Sequence, residues 1–402
     1  MIFLHDNMKK LSYKHTIAAG YIGYITQAIV NNLATLLFVF FHKIFGLPYS
    51  QITLLITLNF LIQLCVDLLS AYFVDKIGYR TVTVFSHVCA AAGLVGMAVF
   101  PFIMPPLYGL IAAVLLYAVG GGLIEVVVSP IIEACPTENK ASSMSLLHSF
   151  YCWGTVAVIV FSTIFFAVFG MEKWRILACL WALVPLANAI YFLFVPIYTL
   201  TEKGGGMTVR ELIKTGVFWL FVILMFASGA SELAMSQWAS ALTETSLGVS
   251  KTAGDLLGAC MFSVLMGCSR VFYAKMSEKI DLVRFILFSG ILCAVSYAVT
   301  AFSPSPIVSL IGCALCGLSV GIMWPGVYSV AAAGFKRGGT TMFALLALAG
   351  DLGCSSGPTA VGFLSSVFGD DLKRGLAFGV IFPAVLIAGI VVYRRRCEKL
   401  KR

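Results

Sequence analysis

The chain has 402 residues, of which 60% are hydrophobic and 11% charged, and its mean hydropathy is +0.97. An average soluble domain carries about 25% charged residues, so this composition excludes a water-soluble fold. The net charge of +9 would suit a nucleic-acid partner only if the basic residues formed one face.

Apolar runs of roughly 20 residues, long enough to cross a hydrocarbon core of about 30 Å as helices, recur twelve times. Span one, near 16–41, contains Asn31 and Asn32. It is longer than the apolar stretch of about 7–15 residues in a signal peptide, so it is expected to stay as a membrane helix. Span two, near 50–74, contains Gln63 and Asp67 and runs into the charged turn Asp75-Lys76-Ile77-Gly78-Tyr79-Arg80. Span three, near 81–103, contains His87, and span four, near 106–133, carries Gly120-Gly121-Gly122 followed by Glu125. Span five, near 142–169, holds His148 and Trp153; span six lies near 174–199. The stretch 200–214, with Gly204, Gly205 and Gly206, reads as a cytoplasmic linker.

The second set of six follows. Span seven, near 215–240, contains Glu232, Gln237 and Trp238, and span eight, near 252–277, contains Arg270 and ends close to Glu278. Spans nine and ten lie near 283–302 and 306–333, the latter with Trp324; spans eleven and twelve lie near 340–368, with Asp351, and 373–394. The expected fold is therefore an all-α membrane protein of twelve transmembrane helices in two pseudo-symmetric six-helix bundles, 1–199 and 215–402.

Placing both termini in the cytoplasm puts 21 of the 27 Lys and Arg residues inside and leaves Lys43, Lys173, Arg175, Lys251, Lys373 and Arg374 outside. That asymmetry follows the positive-inside rule, so the positive charge reports topology and no nucleic-acid partner is expected. The cysteine pair Cys313 and Cys316 lies inside a span, where small packing residues are the plainer reading than a redox or zinc motif. A duplication is visible as well. Asp75-Lys76-Ile77 is repeated as Glu278-Lys279-Ile280 at an offset of 203, and Gly122-Leu123-Ile124-Glu125 aligns with Gly321-Ile322-Met323-Trp324 at 199. Parallel repeats of this kind place a solute site near the midplane between the halves. No G-x-x-x-x-G-K-(S/T) or H-E-x-x-H occurs, which argues against an ATP-driven pump, a metal site or an embedded enzyme.

The turn from Ala71 to Arg80 resembles the major facilitator superfamily signature G-x-x-x-D-(R/K)-x-G-(R/K)-(R/K), with Ala71 for the first glycine and Tyr79 for a basic residue. Glu125-Val126-Val127-Val128-Ser129-Pro130, then Met144-Ser145-Leu146-Leu147-His148-Ser149-Phe150 with Gly154, and Asn31-Asn32-Leu33-Ala34-Thr35 resemble elements of its fucose–galactose–proton symporter group. Thr35 stands where that group has an aspartate tied to proton and sugar handling. The resemblance implies secondary active transport, with proton-coupled uptake of a sugar-like small polar solute by alternating access. Proton-coupled efflux of an amphipathic drug or metabolite is the alternative, supported by the missing aspartate. The expected partners are a small-molecule solute and membrane lipid, the expected state a monomer in the plasma (inner) membrane, and no cofactor is expected beyond a proton gradient.

Ionisable residues are expensive within a bilayer, at about 2.5–3.5 kcal/mol on insertion scales, so each is a functional candidate. Glu125, Glu232 and Asp351 are the candidate proton-coupling acids; Glu125 reads otherwise as a structural carboxylate and Asp351 as a partner of Arg270. Asn31, Asn32, Gln63, His148, Trp153, Gln237, Trp238 and Trp324 are candidate solute contacts, because amides suit sugar hydroxyls and indoles suit their C–H faces. For His148 simple packing remains open, and for Trp238 a place in the interfacial aromatic belt. Asp67, Asp75, Arg80, Arg270 and Glu278 are expected to form a cytoplasmic gate, Asp67 and Arg270 being equivalent under the 203-residue offset.

Overall fold

The computed structural model describes residues 11–47, 49–200, 206–369 and 371–400. All regular structure among them is helical, and ten helical segments are long and apolar enough to cross a membrane. These ten correspond to spans two to ten and span twelve. Spans one and eleven coincide with two further long helices, α1 (Tyr13–Leu36) and α15 (Gly339–Val367). Large apolar side chains such as Phe102, Phe161, Phe288, Phe302 and Phe363 are exposed on the helix exteriors, as a lipid solvent requires.

The helices divide into two compact units whose borders cross the sequence. The first comprises residues up to Thr137, Trp153–Gly206 and Gly339–Ala344. It contains α1, the short α2 (Phe38–Phe45), α3 (Tyr49–Ile77), α4 (Tyr79–Ile103), α5 (Pro106–Ala134), the later part of α6 (Lys140–Phe169) and α7 (Trp174–Phe194). Helix α5 lies against α1, α3 and α4. The chain reverses between α3 and α4 at Gly78, whose φ of 97° falls where a side chain would be strained, which accounts for the glycine of the signature turn. At Gly93 an added Cβ would lie 2.5 Å from the Tyr117 backbone nitrogen, and at Gly120 it would lie 2.6 Å from that of Ala90. Small residues thus bring α4 and α5 into backbone contact, the main source of helix association where no hydrophobic effect acts between helices. The core around Ile29, Leu33, Leu94 and Tyr117 is closed by Trp174, edge-on to Phe41 at 5.2 Å.

The second unit comprises Glu138–Cys152, Met207–Gly338 and Leu345–Arg402. It contains the start of α6, α8 (Val209–Ile213), α9 (Gly216–Leu247), α10 (Lys251–Gly254), α11 (Met261–Met276), α12 (Leu282–Phe302), α13 (Pro306–Val320), α14 (Met323–Gly334), most of α15, α16 (Leu372–Phe378) and α17 (Ile381–Leu400). Gly317 abuts the Phe262 carbonyl and Gly353 abuts that of Phe226, so α13 meets α11 and α15 meets α9 with no side chain between them.

Three spans expected to be continuous are interrupted. Span one breaks at Leu37, where the Thr35 hydroxyl donates to the Asn32 carbonyl at 2.6 Å and competes with the backbone ladder. Span eight changes from α10 to a π-helical turn at Asp255–Cys260 before α11, and the Ser240 hydroxyl donates to the Asp255 carboxylate at 2.6 Å. Span ten breaks at Gly321 and Ile322, between α13 and α14. A Cβ at Gly321 would lie 2.8 Å from the Met266 carbonyl oxygen, so a neighbouring helix occupies the space that a side chain would take.

Candidate functional site

Polar side chains within the first unit form a line on one face of α1. Tyr24, Gln27 and Asn31 are spaced by three and four residues, which puts them on one stripe of a 3.6-residue helix. The Tyr24 hydroxyl is 2.7 Å from that of Ser129. One turn further, the Gln27 amide donates to the Glu125 carboxylate. A turn beyond that, Asn31 Oδ1 accepts from Asn59 at 3.2 Å and Gln63 at 3.0 Å. Glu125 is 7% exposed. It lies one turn past Gly120–Gly122, where α5 runs so close to α1 and α3 that a Cβ would lie 3.1 Å from Val30 at Gly121 and 3.1 Å from Val66 at Gly122.

The structure therefore joins Asn31 and Gln63 directly and sets Glu125, on α5, against the same stripe of α1. Asn32 is turned aside; its amide donates to the Ala28 carbonyl at 2.8 Å and to Thr155 at 3.3 Å. Trp153 is half-buried on α6. His87 is fully buried between Thr83 and Asn188, with Nδ1 2.8 Å from the Thr83 carbonyl and Nε2 2.8 Å from the Asn188 amide. Asn188 also donates to the Ala19 carbonyl at 3.0 Å, so His87 accepts at Nε2, donates at Nδ1 and ties α4 to α7 and α1.

Three of the expected gate residues also belong to this unit. Asp75 accepts a hydrogen bond from Thr340 at 2.7 Å, the Tyr79 hydroxyl meets the same threonine, and Thr341 approaches the Ala71 carbonyl at 3.4 Å. Tyr79, which replaces a basic residue of the signature, thus holds the start of α15. Arg80 caps the end of α7 by donating to the carbonyls of Phe192, Leu193 and Val195. Asp67 is buried within α3.

In the second unit the centre is Arg270, 3% exposed on α11. Its Nε donates to the Gly321 carbonyl at 2.8 Å, and Nη1 donates to the His148 carbonyl at 2.8 Å and contacts the Cys152 sulfur at 3.1 Å. Nη2 lies 3.3 Å from Glu232, itself 8% exposed. One guanidinium therefore links α6, α9, α11 and the break after α13. The seam continues toward the start of α6, where Ser145 donates to the Arg270 carbonyl at 2.7 Å, Ser142 to the Ala274 carbonyl at 2.6 Å and Asn139 to Ser277 at 3.0 Å.

An aromatic series adjoins this seam. The His148 ring lies 5.8 Å from Tyr328, which is edge-on to Trp324 at 6.2 Å, and a Cβ at Gly350 would overlap the Trp324 indole. Asp351, the next residue, is 6% exposed. Glu232, Arg270, His148 and Trp324 are thereby drawn into one connected group. Trp238 is not in it: its indole N–H donates to the Pro358 carbonyl at 3.1 Å, tying α9 to α15. Gln237 and Glu278 are exposed, on α9 and after α11. Sequence reasoning missed Tyr24, Gln27, Cys152 and Tyr328. The three- and four-residue spacing of 24, 27 and 31, and of 148 and 152, was the available signal.

Two helical units, each with dense polar groups buried among helices long enough to cross a membrane, are the framework of a solute transporter. The model of the major facilitator superfamily matches residues 20–358 and again 241–401, and the chain belongs to that family as a multi-pass membrane transporter and not an enzyme. The membrane protein MosC of Rhizobium meliloti is 23% identical over 327 residues, which span 81% of this chain and 77% of MosC. Among solved structures, the chain is similar to the E. coli fucose:proton symporter FucP (TM-score 0.76, 14% identity, covering 94% of this chain and 98% of that one). It is also similar to the proton:xylose symporter XylE (TM-score 0.79, 13% identity, 95% of each chain). At these identities the likeness is one of fold.

Proposed function

We propose that the protein is a monomeric, proton-coupled symporter that takes up a small sugar-like polar solute by alternating access. Its twelve spans would form two six-helix bundles, 1–199 and 215–402, joined by the cytoplasmic linker 200–214, in the plasma or inner membrane with both termini in the cytoplasm. The observation that carries this reading is Glu125, a buried carboxylate set in a line of amides and hydroxyls on α1, α3 and α5.

A carboxylate held by an amide N–H can accept a proton and turn from acceptor to donor, which changes what its neighbours offer a solute. Amides such as Asn31 and Gln63 supply the donors and acceptors that hydroxyl groups need, and the indoles of Trp153 and Trp324 supply apolar faces. Glu232 and Asp351 are the corresponding acids of the second unit. The proton gradient is the only energy source that this chemistry requires.

The test is transport in proteoliposomes, with radiolabelled sugars, nucleosides and dyes supplied with and without an imposed pH gradient. Accumulation of a sugar driven by an inward proton gradient is the expected result. Gradient-driven extrusion of the dyes, with no sugar moved, would replace this reading by efflux.

A further inference from the structure

The connection before span twelve repeats the one before span six. At an offset of 199, Phe169, Gly170, Glu172 and Arg175 correspond to Phe368, Gly369, Asp371 and Arg374, and both glycines have positive φ, 82° and 76°. One position within the repeat differs in kind, because Trp174 corresponds to Lys373. In the first unit the indole is 2% exposed and packs against Phe41, Phe45 and Phe102, while Arg175 lies 4.2 Å from the centre of the Phe102 ring. The indole fills that corner. In the second unit the equivalent corner, between the ends of α12 and α15 and the start of α16, is a cavity of about 540 Å³. Lys373 Nζ donates to the Ser303 carbonyl at 2.8 Å, which uses one of its three donors. Arg374 pairs with Asp371 at 3.0 Å, yet its side chain is 65% exposed. The walls are aromatic: Phe368 and Phe378 stack with centroids 5.7 Å apart, and Phe302 is 73% exposed.

Two cations against one acid leave the described lining residues with net positive charge. The corner lies at the ends of spans nine and eleven and the start of span twelve, where hydrocarbon gives way to headgroups and water. A free anion there would leave the phenyl walls against water, and an apolar chain alone would leave the cations without a counter-charge. A molecule that meets both demands carries a phosphate, which arginine and lysine hold by charge-assisted hydrogen bonds, and an acyl chain. We propose that this corner is a binding site for an anionic phospholipid, with the headgroup on Lys373 and Arg374 and an acyl chain against Phe302, Phe368 and Phe378. The site exists because a lysine stands where the first unit has its plugging tryptophan. The bound lipid ties α12, α15 and α16 together from outside, whichever solute is carried.

The measurement is native mass spectrometry of the delipidated full-length protein in detergent, titrated with dioleoylphosphatidylglycerol, dioleoylphosphatidylcholine or inorganic phosphate and read at the first binding step. Phosphatidylglycerol should bind about twentyfold more tightly than phosphatidylcholine, from about fivefold for each basic residue close to the anionic group. Lys373→Gln and Arg374→Gln should each weaken phosphatidylglycerol by about fivefold, and the two together should bring it to the phosphatidylcholine level. Lys373→Trp, which restores the plug, should abolish the preference, whereas Lys173→Gln at the filled corner should leave it unchanged. Because Arg374 is exposed and leaves the packing intact, its variant decides the matter even if Lys373 cannot be replaced without loss of fold. Equal binding of the two lipids, or a phosphatidylglycerol preference that survives both substitutions, would overturn the proposal. Inorganic phosphate bound through Lys373 and Arg374 with no preference between lipids would reassign the corner to a free anion, and a dimer lost on Arg374→Gln would reassign it to a second copy of the chain; either result overturns the lipid site.

Discussion

Replacing Arg270 by glutamine tests the buried cluster most severely. The guanidinium is 3% exposed, lies 3.3 Å from Glu232 and donates to two backbone carbonyls. Removing one partner of a buried ion pair strands the other in low dielectric and costs about 3–5 kcal/mol. Glu232→Gln removes the other partner of the same buried ion pair and should cost a comparable amount. The double variant removes both charges of the pair, so it should be more stable than the sum of the two single losses predicts, by about 2–3 kcal/mol, as found for residues in direct contact. Equilibrium unfolding in dodecylmaltoside micelles with increasing sodium dodecyl sulfate, read by tryptophan fluorescence, measures all four forms. The loss in Arg270→Gln should also shrink on going from pH 7.5 to pH 5, because the stranded carboxylate can then be neutralised by a proton. Additivity within about 0.5 kcal/mol, or an Arg270→Gln protein as stable as the wild type, would show that the pair does not carry this energy.

Glu125→Gln keeps the shape of the carboxylate and its neighbour Gln27 but removes the titratable group, so accumulation driven by a pH gradient should be abolished while exchange of solute across proteoliposomes persists. Gly353→Ala sets a Cβ against the Phe226 carbonyl and 2.9 Å from the Ala230 nitrogen; backbone cannot step aside as a side chain can, and the unfolding midpoint should fall by an amount equivalent to about 1–3 kcal/mol. Outside the membrane, the Glu211 carboxyl is held below its usual range by hydrogen bonds from the Thr208 backbone N–H and hydroxyl. A depressed carboxylate pKa stabilises the fold above the ordinary carboxylate value and loses that effect as pH falls through the lowered one. Amide exchange in 209–213 should accordingly quicken in that acid window, and Glu211→Gln should make it insensitive to pH.

Hydropathy alone located ten of the twelve expected spans as helices long and apolar enough to cross a membrane, because an apolar slab of about 30 Å imposes a length that few other constraints can mimic. It could not show where they break. Leu37 and Ile322 are as apolar as their neighbours, and the break at Gly321 depends on the Met266 carbonyl and Arg270, which are distant in sequence. The candidate acids were legible for the same energetic reason, since a carboxylate is conspicuous in a run of Val and Ile. Their partners were not. Glu232 and Arg270 are 38 residues apart and His148 is 122 residues from Arg270, and no periodicity within one helix encodes such a meeting. The 203-residue offset related Arg270 to Asp67 and so suggested a gate, yet it carried no information about which carbonyls the guanidinium would reach. Gln27 was hidden for a simpler reason: its spacing to Asn31 was visible, but an amide has no assigned role until α5 brings Glu125 against it.

The backbone-to-backbone seams have a mechanical consequence. Where Gly93 meets Tyr117, Gly317 meets Phe262 and Gly353 meets Phe226, no rotamer can change to let one helix slide over the other, so each pair is stiff in shear. The regular α-helical hydrogen-bond register is interrupted at Leu37, in the wide turn Asp255–Cys260 and at Gly321–Ile322, and compliance is expected there. Substitutions that move the protein between shapes without unfolding it should therefore concentrate around those three points, and those in the glycine seams should cost the fold itself.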